Sequence, residues 1–287
     1  MVGVPTSAGA HTPGVEKAPA ALREAGLVSR LGARDHGDLR LRRWQPDLVH
    51  PHGQNPQEVA AAAAETAGAV AAISAAGQTP FLMGGDCSIT MGAVAGLLHD
   101  GGDLTLLYMD GGPDLYTPHT RLNGNFDAMG VEHLLRLPGH VPELAPVPMI
   151  PDRVVSYGHR MPAEDHESVL LQQLGIAGVH AREVGRGPGA AAARALALVA
   201  APRFLLHFDV DVLDFALAPI ADVPQSGDEP GDGLTPEAMT ASLRVFAADP
   251  RLAAVVLTEV NPDHAPGPAT LETFVEQVTA ALLEPLC

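Results

Sequence analysis

The sequence has one lysine, Lys17, and two cysteines, Cys87 and Cys287. Two thiols do not make a disulfide framework, and Cys287 reads as a free terminal thiol. Basic charge is scarce throughout: 17 Lys and Arg stand against 34 Asp and Glu, for a formal net charge of −17. A surface of that sign repels nucleic acid and anionic membranes, so neither is an expected partner. Also missing is an uncharged apolar run of about 18 residues, the length a membrane span needs. The nearest approach, "EVAAAAAETAGAVAAISAAG", is interrupted by Glu58 and Glu65 and reads as a packed helix. The opening "MVGVPTSAGAHTPG" has no charged segment followed by an apolar core, so no signal peptide is expected. These absences together suggest a cytoplasmic protein.

The 287 residues, 46% of them hydrophobic, are enough for a sizeable buried core. No linker is long enough to split the chain, so residues 1–287 are expected to form one domain. Short apolar runs rich in Val, Leu, Phe or Tyr predict strands at Phe81–Met83, Leu104–Met109, Val154–Tyr157, Phe204–Phe208 and Ala254–Thr258. Helical stretches are predicted at Pro56–Ala76, Ser88–His99, Gly189–Ala200, Pro236–Ala248 and Thr270–Leu283, with Asn55 and Thr235 as caps. This alternation predicts an α/β fold with a parallel sheet between helices. Two long loops, 110–129 and 209–234, follow predicted strands, where ligands bind in such sheets. "GDEPGDG" within the second is either a lid or a plain acidic surface loop. Gly84 and Gly85 are read as permitting a tight passage from strand to loop. Trp44 and Met83 are read as packing residues.

Acids gather at the predicted strand ends. "FLMGGDCS" supplies Asp86 and Cys87, and "LLYMDGGPD" supplies Asp110 and Asp114. "FLLHFDVDVLD" supplies Asp209, Asp211 and Asp214, and "VVLTEVNP" supplies Glu259 and Asn261. A lone strand-end Asp is usually a cap or turn residue, and Asp86 and Asp214 fit that reading. Two acid pairs beside a cysteine, on one edge of a sheet, are costly to bury unless cations neutralise them. A divalent metal is the simplest way to hold them charged.

With these motifs in order, the chain resembles the ureohydrolases, the group of arginases, agmatinases and formiminoglutamases. "GGDCS" looks like the family's G-G-D-H-S, and "DGGPDLYTPHTRLNGN" like its D-A-H-x-D-x-N-T-P loop and S-G-N turn. "HFDVDVLD" looks like its S-x-D-x-D-x-x-D-P, and "TEVNP" like its E-x-N-P. The resemblance implies a three-layer α/β/α, arginase-like domain with a central parallel sheet, and a homo-oligomer, trimer or hexamer. It implies metal-activated hydrolysis of a guanidinium group with release of urea, over one or two divalent ions, Mn²⁺ by resemblance. By motif position Cys87, Asp110, Asp114 and Asp209 would hold the first ion, and Asp110, Asp209 and Asp211 the second. Glu259 would grip the guanidinium, Asn125 the far end of the substrate, and Asp127 would stand where arginases carry a proton-shuttling histidine. Tyr116 and Asn123 occupy further substrate-binding positions, and His159 beside Arg160 is a candidate substrate contact.

Several of these positions depart from the family. Gly112 replaces a histidine ligand of the second metal, and Cys87 replaces one of the first, which turns preference from Mn²⁺ toward Zn²⁺. His119 and His207 are the nearest substitute imidazoles. A loop histidine is usually solvated and a strand histidine usually packs in the core, so neither is assigned to the metal. Tyr116, Asn123 and "GHRMPAEDHE" rewrite the part of the site that reads a free amino acid. The expectation is a metal-dependent amidinohydrolase, acting on a guanidino or amidino compound other than arginine. The alternative is a catalytically impaired relative with a binding or regulatory role. A deacylase on the same fold is disfavoured, because Gly112 removes the histidine of its D-x-H pair.

Overall fold

A computed structural model describes residues 1–121, 123–222 and 232–283. Cys287 and most of "GDEPGDG" lie outside the described residues. The strands are β1 (Val2–Gly3), β2 (Phe81–Met83), β3 (Thr105–Met109), β4 (Val154–Tyr157), β5 (Ala177–Val179), β6 (Phe204–Asp209) and β7 (Leu252–Thr258). The helices are α1 (Ala18–Glu24), α2 (Leu27–Arg30), α3 (Pro56–Ala75), α4 (Ile89–Leu97), α5 (Gly130–Leu134), α6 (His166–Gln173), α7 (Ala181–Arg186), α8 (Pro188–Leu198), α9 (Pro236–Ala248) and α10 (Pro268–Leu283).

The strands form one sheet in the order β1-β2-β7-β6-β3-β4-β5, with every pairing parallel. Helices cover both faces, giving the expected three-layer α/β/α architecture. Alternation along the central strands sends Leu107, Met109, Leu206 and Phe208 to the face packed by α8, α9 and α10. It sends Leu106, Tyr108 and Leu205 to the face packed by α3, α4 and α5. All five predicted strands are present to within two residues at either end. The two unpredicted ones, β1 and β5, are edge strands of two and three residues, too short to carry a periodic signal.

Thr235 caps α9 as expected, its Oγ1 accepting from Ala238 N at 3.2 Å. Asn55 does not cap α3. Its backbone is left-handed (φ 55°), and its Nδ2 donates to Gln45 O, so the side chain faces away from the free amides of the first turn. α3 is by length and composition apolar enough to cross a bilayer, but it lies along α4. Two glycines of α4 set that contact: a Cβ on Gly96 would fall 2.6 Å from Ala67 O, and one on Gly92 would overlap Ala63 O. Gly84 and Gly85 also make close approaches, against Leu257 O and Thr6 O, as the sequence suggested.

Candidate metal centre and substrate cavity

The carboxyl ends of β2, β3, β6 and β7 meet at one rim of the sheet, in the middle of the strand order. Asp110 follows β3 directly, Asp209 ends β6, Glu259 follows β7, and Cys87 lies in the short turn between β2 and α4. One ligand atom from each of Cys87, Asp110, His207 and Asp209 lies within 4.8 Å of every other, and all four residues are buried. The Cys87 thiol donates to Asp209 Oδ2 at 2.8 Å and stands 3.2 Å from Thr258 Oγ1. Asp110 Oδ1 accepts from Gly112 N at 2.7 Å, while Asp110 Oδ2, though buried, has no hydrogen-bond partner.

His207 is buried in the core as expected, and its imidazole also lies among the donor atoms. It shares its sheet face with Asp209, two residues on, because strand side chains alternate. Its Nε2 is 3.5 Å from Asp110 Oδ2 and 3.6 Å from Cys87 Sγ. Its Nδ1 is hydrogen-bonded to Thr90 Oγ1 on α4 at 2.7 Å. The β3–β6 register places it opposite Tyr108, and the two rings stack 3.9 Å apart at 4°. His119 is an exposed loop residue and takes no part.

The other expected ligands sit differently. Asp114 accepts a hydrogen bond from the Tyr108 hydroxyl, on a backbone of φ 49°, and does not join the tight donor group. Asp211 Oδ1 accepts from Gly111 N at 2.9 Å. A Cβ on Gly112 would point at Glu167 Oε2, 3.5 Å away. Glu167, on α6, is 2% exposed and accepts from Leu115 N at 2.7 Å. It closes the run "GHRMPAEDHE", noted above as departing from the family, but no role was expected of it there. Gly111 is where the Arg160 side chain crosses, on its way to donate to Asp211 O at 2.9 Å.

Above the donors is a cavity of about 80 Å³, lined by Cys87, Asp114, Arg121, Asn125, Asp127, Ala128, Asp209, Asp211, Asp222 and Glu259. Six of the ten are acids and one is a base. Glu259 is 6% exposed, with φ 61°, and its Oε1 accepts from Cys87 N at 3.0 Å. Asn125 donates to Asp127 and accepts from Arg121 Nε at 3.1 Å. Asp222, which the sequence reading did not single out, accepts from Asn261 Nδ2 at 2.7 Å.

Three expected substrate contacts fall outside this lining. Tyr116 lies next to it, with the Arg121 guanidinium 4.9 Å from its ring centre. Asn123 is exposed, its carbonyl accepting from Gln54 Nε2. His159 lines a different cavity with His180 and Glu183 and is hydrogen-bonded to Ser156 Oγ, because its β-strand, β4, lies on the far side of β3.

The electrostatics follow from burial. Desolvation, and then like charge, raises Asp110, Asp114, Asp209 and Glu259 well above the usual carboxylate range. Burial also raises the Cys87 thiol and lowers His207 to about 3, so the imidazole is neutral with a lone pair to offer. Burial together with nearby Asp86 raises Asp127 to about 8, and burial raises Glu167 to about 8. Neutral imidazole, thiol and two carboxylates around an unpartnered buried oxygen are a donor set that fits one divalent ion. The set for a second ion is incomplete, since Gly112 has no donor atom.

Comparisons with known proteins agree with this fold. The model of the arginase family matches residues 1–283. Mouse arginase-1 is 32% identical over 241 residues, covering 79% of this chain and 75% of its own. The arginase of Bacillus caldovelox superposes with a TM-score of 0.86 at 25% identity, covering 100% of this chain and 98% of its own. Proclavaminate amidino hydrolase of Streptomyces clavuligerus shares the fold, with a TM-score of 0.70 at 20% identity, over 98% of this chain and 89% of its own.

Proposed function

Because this chain belongs to the arginase family, we propose that it is a metal-dependent amidinohydrolase cleaving a C–N bond of a guanidino or amidino compound other than free arginine. The observation that carries the reading is Glu259: a buried carboxylate in the same small cavity as Cys87, Asp209 and Asp127. A carboxylate matches a guanidinium by paired, charge-assisted hydrogen bonds. Cys87, Asp110, His207 and Asp209 would hold a divalent ion, which would supply Lewis acidity and a water of lowered pKa.

The chain's own groups do the remainder. The acid excess of the cavity wall favours a cation over a neutral molecule. Glu259 orients the guanidinium, and its tie to Cys87 N fixes the clamp to the turn that carries the thiol. Asp127 Oδ1 takes the N–H of Ala128 and an N–H of Asn125, which leaves Oδ2 to carry a proton near neutral pH. That carboxyl is placed to protonate the departing nitrogen as a general acid. Arginine is disfavoured because Tyr116 and Asn123 replace the residues that would read its amino-acid end. The fold does not fix the substrate, since a proclavaminate amidino hydrolase shares it.

The test is urea release from a panel of guanidino compounds by protein loaded with Zn²⁺ or Mn²⁺. Glu259→Gln is expected to cut turnover by at least about 100-fold, the scale of losing one directed contact to the reacting group, while leaving metal content unchanged. Arginine hydrolysis at ordinary arginase rates refutes the substrate assignment. A metal-free, folded and inactive protein favours the impaired alternative instead.

A further inference from the structure

We propose that His207 takes over the ligand role lost at Gly112, in a relocated single-ion site of Cys87, Asp110, His207 and Asp209 that selects Zn²⁺ over Mn²⁺. This rests on the metal-dependent reading above and goes beyond it in the part given to His207 and in naming the ion.

Asp110 Oδ2 is buried without a hydrogen-bond partner, and an unpaired buried carboxylate oxygen is costly. His207 Nε2 stands 3.5 Å from it and 3.6 Å from Cys87 Sγ, so one ion among the three would engage them all. Thr90 Oγ1 holds Nδ1 at 2.7 Å, as a supporting partner does when Nδ1 carries the proton and Nε2 carries the lone pair. The Tyr108 stack fixes the plane of the ring. The ring is thus held from two sides, with Nε2 turned toward a thiol and a carboxylate.

The family's arrangement is dismantled on the opposite side. Gly112 offers no atom, and the Tyr108 hydroxyl holds Asp114. The same tyrosine that supports His207 with its ring engages Asp114 with its oxygen. What remains is one sulfur, one nitrogen and two carboxylates within 4.8 Å of one another. Four donors including thiolate and imidazole are a zinc set, whereas Mn²⁺ prefers oxygen-rich sites of higher coordination number.

The experiment strips the full chain with a chelator and titrates it with Co²⁺ as a spectroscopic probe, with no substrate present. One equivalent is expected, with a thiolate-to-cobalt charge-transfer band in the near ultraviolet. Zn²⁺ should displace it stoichiometrically, and a 100-fold excess of Mn²⁺ should not. Cys87→Ser should remove the band. His207→Gln should weaken Co²⁺ binding by more than about 100-fold, and Thr90→Val, which keeps the imidazole, by about 10- to 100-fold. Circular dichroism of the stripped variants checks that they fold, and Thr90→Val keeps the test decisive if His207→Gln does not.

Two tightly bound Mn²⁺ ions per chain, or Co²⁺ binding indifferent to both His207→Gln and Thr90→Val, would overturn the proposal. The two readings fail separately. One Co²⁺ bound through Cys87 and His207 with no urea from any guanidino compound keeps this site and sinks the hydrolase. Urea release over two Mn²⁺ ions keeps the hydrolase and sinks this site.

Discussion

Tyr108 is engaged twice, by ring stacking on His207 and by its hydroxyl on Asp114. Tyr108→Phe keeps the ring and deletes only the hydroxyl. Asp114 would then lose its donor while still buried, and the variant is expected to be less stable by about 1–3 kcal/mol in urea unfolding. A stability equal to that of the parent would show that Asp114 finds another partner. This level of detail is also where sequence reading succeeded and failed most sharply. Cys87, Asp110 and Asp209 were legible because each lies at or just past the end of a strand, within a motif. His207 lies two residues before Asp209, and period-two alternation puts both side chains on one face, so its core packing and its nearness to the donors go together. Glu167 ends the quoted run "GHRMPAEDHE", but only the docking of α6 brings it near Gly112. Asn123 belongs to the motif by position, yet its side chain faces solvent.

Helix α4 is the element on which the site leans. It starts just after Cys87 and carries Thr90, and its glycines let α3 approach backbone to backbone. Gly92→Ala inserts a methyl group against Ala63 O, where no side chain can rotate away. Overpacking of this kind is expected to cost about 1–3 kcal/mol in thermal or denaturant unfolding. Because α4 must shift to relieve it, metal affinity should fall as well. An alanine variant with unchanged stability would mean that the α3–α4 contact is looser than described. The long helices and central strands were readable from periodicity, since burial on both faces writes continuous apolar runs. The short helices α1, α2, α5, α6 and α7 were not, as four to eight residues rarely show a period. Asn55 has the right residue type for a cap, but its left-handed backbone turns the side chain elsewhere.

Across the whole molecule, the buried acids make stability depend on pH in an unusual direction once metal is removed. Asp86 titrates at about 6, and Asp127 and Glu167 at about 8, each raised mainly by burial from near 4. Between about pH 4 and pH 8 the folded chain therefore keeps protons that the unfolded chain has released, and stability falls as pH rises. Protein held in excess chelator is expected to melt at progressively lower temperature from pH 5 to pH 8, with saturating Zn²⁺ flattening the trend. A chelated protein that melts higher at pH 8 than at pH 5 would contradict the charge state described for these groups.

The strand order carries a last consequence, for biosynthesis. β6 and β7, the final two strands to leave the ribosome, slot between β2 and β3, which are made much earlier. Until then the first two hundred residues can offer only two separate ribbons, each with an unpaired border facing the gap. Chains cut short before residue 258 would keep those borders open and invite pairing between molecules. The four donors are complete once Asp209 is made, before β7 is, so an ion can tie the ends of β2, β3 and β6 together ahead of the strand that fills the gap.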